Sequence, residues 1–99
     1  MNNKEILSVV SAEYLGDYRI SCTFNTGEIA TVNLHDFVHS APFFAPLKET
    51  SFFSGFKVDY TLIWSPNLDV APEYLYFLAF ANREDLRETF INWGYLEVA

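Results

Sequence analysis

The chain has 99 residues, 51% hydrophobic and 19% charged, with six lysines and arginines against 13 carboxylates for a net charge of −7. That length supports a single core and a single domain, and the composition is too apolar for a disordered chain. Six dispersed cations in an acidic chain argue against direct binding of nucleic acid or of an anionic membrane surface, since both depend on lysine and arginine.

In chain order, Ile6–Leu15 is rich in β-formers and stops at Gly16-Asp17, which predicts a first strand. Tyr18–Phe24 alternates strictly, with Tyr18, Ile20, Cys22 and Phe24 on one face and Arg19, Ser21 and Thr23 on the other. Asn25-Thr26-Gly27 then predicts a three-residue bulged turn with Gly27 left-handed, and Glu28–Leu34 returns as the antiparallel partner. The buried face of this hairpin carries Ile20, Cys22 and Phe24 opposite some of Ile29, Val32 and Leu34, with the register left open by the bulge.

Between Leu34 and Phe56 the alternation disappears. Pro42 and Pro46 sit among five phenylalanines, which predicts short helical turns, one of them starting at Thr50-Ser51 and ending at Gly55. Phe56–Trp64 reads as a fourth strand, turned by Ser65-Pro66-Asn67 into a short fifth segment, Leu68–Val70. Pro72 suits the first position of a helix and Glu73 its positive end, while Tyr74–Phe80 is apolar all round. Asn82 with Asp85 predicts a cap for a last helix, whose stripe is Leu86, Phe90 and Trp93, whose solvated face is Arg83, Glu84, Arg87 and Glu88, and whose end is Gly94. The fold class expected is α+β: a small, mostly antiparallel sheet starting with a β-hairpin, packed against short helices and two C-terminal helices.

The longest unbroken apolar run, Tyr74–Ala81, is eight residues, against roughly 20 in a membrane-spanning helix. A lone cysteine, Cys22, forms no internal disulfide, and Met1–Glu5 is too polar to open a signal peptide, so a cytoplasmic protein is expected.

The hairpin Tyr18–Phe24 with Asn25-Thr26-Gly27-Glu28, then Phe44-Ala45-Pro46-Leu47, then Trp64-Ser65-Pro66-Asn67 with Asp69–Tyr76, in that order, resembles the bacterial domain of unknown function family 2442 over about residues 6–76. The helix from 82 to 94 lies beyond the usual core of that family. Where the family has Asn-Gly, this chain has Asn67-Leu68, which shifts any left-handed position to Asn67. The resemblance implies a small α+β domain without established activity. Some relatives are joined to a helix-turn-helix, and others are encoded beside a small toxin-like partner. No helix-turn-helix is evident here, and no catalytic residue carries over.

His35-Asp36-Phe37-Val38-His39 places two imidazoles at i and i+4, the spacing of a helical zinc motif, but Asp36 replaces the glutamate base and Pro42 shortens the helix. Surface histidines are the simpler reading, and no metal or cofactor is expected. Cys22 has the position of a buried hydrophobe rather than a nucleophile. Asp59, Asp69 and Glu73 would form an acid–base group only if strands four and five bring them together, and a helix-dipole or capping role explains Asp69 and Glu73 without catalysis.

The aromatic load remains: ten Phe, six Tyr and two Trp in so short a chain, more ring area than a small domain hides. Either the C-terminal helix covers Tyr74–Phe80, or that helix joins Phe43, Phe44, Phe52 and Phe53 in a contact surface anchored by Tyr74 and Phe77. The expectation is a non-enzymatic interaction module, a homodimer that presents aromatics to a protein partner. The alternative is a small-molecule binder or weak enzyme with a pocket at Trp64 lined by Tyr60, Asp69 and Tyr76.

Overall fold

Two hairpins build the first half of the molecule. In the computed structural model, which describes residues 6–97, β1 (Val9–Gly16), β2 (Arg19–Phe24) and β3 (Ile29–Asn33) form an antiparallel sheet in the order β1-β2-β3. The polar stretch 1–5 lies outside the described residues. Ile20, Cys22 and Phe24 are buried as the alternation requires, and Gly27 takes φ 92° in the β2–β3 connection. The register pairs Ile20 with Val32 and Thr23 with Ile29. Val32 therefore enters the core, and Ile29 stays on the outer face.

Tyr18 departs from the expected strand position. Asp17 and Tyr18 lie at φ 54° and 63° and form a two-residue turn that closes the β1–β2 hairpin. A tyrosine is uncommon at positive φ, and three contacts hold it there. Its carbonyl accepts from the Leu34 amide at 2.9 Å, its hydroxyl donates to the Lys48 carbonyl at 2.7 Å, and its ring meets Phe53 edge-on at 5.0 Å.

The connection to the second sheet consists of the expected short pieces: α1 (His35–Val38), a 3-10 segment (Pro42–Lys48) and α2 (Thr50–Phe53). The strands that follow are not part of the first sheet, as a single-sheet reading required. β4 (Lys57–Asp59), β5 (Thr61–Ser65) and β6 (Leu68–Val70) make a second antiparallel sheet. The expected continuous strand Phe56–Trp64 breaks because Tyr60 turns left-handed at φ 59°, so Val58 pairs with Leu62. The Tyr60 carbonyl accepts from the Val9 amide at 2.8 Å, which joins the sheets. Asn67 is not left-handed: Pro66 presets the turn, and a register irregularity between Ile63 and Ser65 takes up the mismatch.

α3 (Pro72–Phe80) begins at its proline and packs on β3. The last helix starts later than the Asn82 cap predicted: a 3-10 turn, Glu84–Leu86, precedes α4 (Arg87–Trp93), and no side chain caps either. At the far end Gly94 has φ 90°, its amide donates to Ile91, and the Tyr95 amide donates to Phe90. This is the Schellman closure, which folds the next residue back over the helix.

One core joins both sheets and the helices, with Phe24, Leu34, Phe53, Leu62, Leu75 and Phe90 fully buried. Each such side chain contributes about 1.5–3 kcal/mol relative to exposure. Among the described residues no helix is long and apolar enough to cross a membrane.

Candidate interaction surface

Part of the surplus ring area collects in one strip. Phe43 and Phe44 of the 3-10 segment meet edge-on at 5.5 Å, Phe44 lies 4.4 Å from Phe37 of α1, and Phe37 lies 5.8 Å from Tyr74 of α3. Tyr74 continues to Tyr95 at 5.6 Å, and Tyr95 both stacks on Phe77 at 5.2 Å and meets Trp93 edge-on at 6.4 Å. Phe43 is 62% and Trp93 39% exposed at the two ends, and the rings between them are half-buried. The C-terminal helix therefore covers part of α3, through Phe77 on Phe90 at 5.2 Å, and the Schellman turn extends the strip with Tyr95.

Of the six residues expected on a contact surface, Phe43, Phe44, Tyr74 and Phe77 lie in this strip. Phe52 is exposed on α2, outside the chain of ring contacts. Phe53 is a correction: it is fully buried, because successive residues on a helical turn point in different directions and α2 faces the core with Phe53. Phe37, Trp93 and Tyr95 belong to the strip and were missed. The Gly94-Tyr95 pair was the available signal for Tyr95, since a hydrophobic residue after a C-terminal glycine commonly packs back on its helix.

The expected pocket does not form, because its four members point to different places. Trp64 stacks on Phe53 at 5.5 Å and its indole N–H donates to the Phe53 carbonyl at 2.7 Å, satisfying an orphan acceptor at the end of α2. Asp69 pairs with Ile63, on the face of the second sheet away from Trp64, and Tyr60 is exposed in the β4–β5 turn. Tyr76 sits on the first sheet, edge-on to Phe24 at 5.2 Å.

The Tyr76 hydroxyl is instead part of a polar clasp that patterning did not reveal. It donates to Glu28 Oε1 at 2.7 Å, Thr26 Oγ1 donates to the same oxygen at 2.8 Å, and Arg83 Nη1 donates to Glu28 Oε2 at 2.6 Å. Arg83 also forks onto Asp85 at 2.6 and 3.0 Å and lies 5.2 Å from the Phe80 ring, so it is not the free solvated cation that the helix pattern suggested. The Tyr76 bond, with Arg83 and Thr26, holds the Glu28 carboxyl below its usual range, while burial and then Glu28 push Tyr76 up to about 12. The clasp ties the β2–β3 turn to the C-terminal third of the chain.

His35 and His39 do lie side by side, with ring centroids 4.3 Å apart, and both are exposed. Asp36 is 3.2 Å from His35 Nδ1, and His39 Nδ1 is 2.8 Å from the His35 carbonyl. Among the described residues no three histidines, cysteines or carboxylates converge to hold a metal ion. Burial pushes the Cys22 thiol up to about 11. Asp59 lies opposite Thr61 and Asp69 opposite Ile63 on the other side of β5, so two strand spacings and two residues of offset, roughly 12 Å, keep them apart as an acid–base pair.

No curated protein matches the chain. Among solved structures, the crystal structure of "Putative DNA Binding Protein NE0471" from Nitrosomonas europaea is similar with a TM-score of 0.70 and 19% identity, over 98% of this chain and 66% of that one. The chain thus spans just under two thirds of that neighbour, and the likeness is one of fold. The two sheets and α3 coincide with the segment 9–81 that matches "Protein of unknown function (DUF2442)", and the chain belongs to that family.

Proposed function

We propose that this domain is a non-enzymatic interaction module whose aromatic strip seats a protein partner. The carrying observation is the unbroken series of accessible rings from Phe43 to Trp93, each in contact with the next. Contiguous exposed apolar surface of this kind marks contact sites in soluble proteins, and Phe, Tyr and Trp are the side chains that anchor them. A small protein encoded nearby, of the toxin-like kind found with some relatives, is the partner type that the family suggests.

The same proposal includes a homodimer. The outer face of the first sheet exposes Val10, Leu15 and Ile29, the last 67% accessible, and a two-fold pairing of this face leaves the strip free. The neighbour described as DNA-binding raises direct nucleic-acid contact, against which stands a charge of −7. Of the six lysines and arginines, Arg83 is already committed to Glu28 and Asp85.

A photo-crosslinking residue in place of Phe43, compared with one in place of Lys57 on β4, tests the strip in cells. A discrete protein adduct from position 43 alone is expected; equal yields at both positions refute the reading. Sedimentation on the order of tens of micromolar tests the dimer: a monomer refutes it, whereas a dimer lost in Ile29→Lys supports it.

A further inference from the structure

We infer that the occupant of the strip is a basic polypeptide segment that places arginines on the rings; this rests on the reading of the strip as an interaction surface and adds the chemistry of its partner. Two carboxylates border the rings. Asp36 immediately precedes Phe37 and its side chain is fully exposed, and Glu73 immediately precedes Tyr74 in the first turn of α3. Both act on the strip itself: Asp36 on the Tyr74 hydroxyl and Glu73 on the Tyr95 hydroxyl, each adding to burial in raising those phenols.

Among the described residues neither carboxylate is paired with a lysine or arginine, in contrast to Glu28 and Asp85, which share Arg83. Arg83 shows within this fold what an arginine does in such a place: its guanidinium lies 5.2 Å from the Phe80 ring while its N–H groups fork onto Asp85. The strip offers the same two elements, ring faces and bordering carboxylates, with no lysine or arginine on either carboxylate and only the His35 imidazole beside Asp36, at 3.2 Å. A second copy of this chain fits less well there, because strip-to-strip contact brings two carboxylates from each protomer, neither paired with a lysine or arginine, into one interface. A basic segment with apolar residues between its arginines matches both the ring surface and the acidic border.

The test uses the whole chain and three synthetic peptides of one length in calorimetry: arginine alternating with leucine, the same peptide with citrulline for arginine, and the same with glutamate. The arginine peptide is expected to bind about tenfold or more tightly than the citrulline peptide, and the glutamate peptide not at all. The double variant Asp36→Asn with Glu73→Gln is expected to weaken the arginine peptide by about fivefold, since exposed ion pairs are individually modest. A control with the same charge change elsewhere, Glu13→Gln with Asp59→Asn, is expected to leave it within about twofold.

Equal effects from the two double variants overturn the inference by reducing it to general attraction to an acidic protein. If citrulline binds as tightly as arginine and Phe43→Ser with Trp93→Ser removes both, the strip remains an interaction surface and only the basic partner is overturned. If that ring variant changes neither peptide, the strip reading falls as well.

Discussion

The clasp between Tyr76 and Glu28 offers a direct check on how the C-terminal third is held to the first hairpin. Tyr76→Phe removes one hydroxyl from a ring that is 8% exposed and leaves the packing on Phe24 intact. The lost bond is short, 2.7 Å, and its acceptor is ionised, a type that contributes about 1.5–3 kcal/mol when dry. The Glu28 side chain is 31% exposed and keeps Thr26 and Arg83, so water replaces part of the loss and about 1 kcal/mol is expected. For a domain of this size that lowers Tm by about 4–8 °C.

A double-mutant cycle with Glu28→Gln, read by urea unfolding, isolates the pair. Because the folded state lowers the Glu28 pKa, its contribution is whole above the ordinary glutamate value of about 4.3 and fades as pH falls through the lower folded value. The raised Tyr76 pKa has the opposite sign. Its contribution is whole below about pH 10 and disappears as pH climbs toward the folded value of about 12, a loss that Tyr76→Phe abolishes. A coupling energy indistinguishable from zero near neutrality, or one unchanged at about pH 3, refutes the charged hydrogen bond as the cause.

Three other perturbations have defined outcomes. Gly94→Ala meets no atom within 4 Å, so its cost is purely the left-handed backbone at φ 90°, about 1–2 kcal/mol by chemical denaturation; no loss would remove the Schellman account. Phe53→Ala creates a core cavity at a cost of about 3–5 kcal/mol and removes the ring against which Trp64 stacks, leaving its indole bond to the backbone carbonyl in place, whereas Phe52→Ala, half out in solvent, stays within about 1 kcal/mol. Cys22 is expected to resist thiol reagents in the native protein and to react on unfolding, since its thiol sits near 11; rapid native labelling contradicts its burial.

Much of the local structure was legible from the residues. Alternation placed Ile20, Cys22 and Phe24 inside, Gly27 marked the bulged turn, Thr50 and Pro72 marked helix starts, and Gly94 marked the last helix end. These features depend on neighbours within a few positions, which is the range over which period and turn chemistry act. Two of the failures share a cause. Tyr18 and Tyr60 took left-handed backbone because distant partners, Lys48 and Leu34 for the first and Val9 for the second, compensate an unfavourable local choice.

Membership in the α+β family was therefore readable from order and patterning, and so was the excess of rings over hiding places. Which rings stayed outside was settled only by tertiary packing. Phe52 and Phe53 are adjacent and chemically identical, yet one is exposed and the other lies against Tyr14, Tyr18 and Trp64. Tyr76 and Trp64, read together as a pocket, are separated because each hydrogen-bond donor found its acceptor in a different part of the chain. Burial depends on what the chain brings from far away, and such pairings leave no periodic trace in sequence.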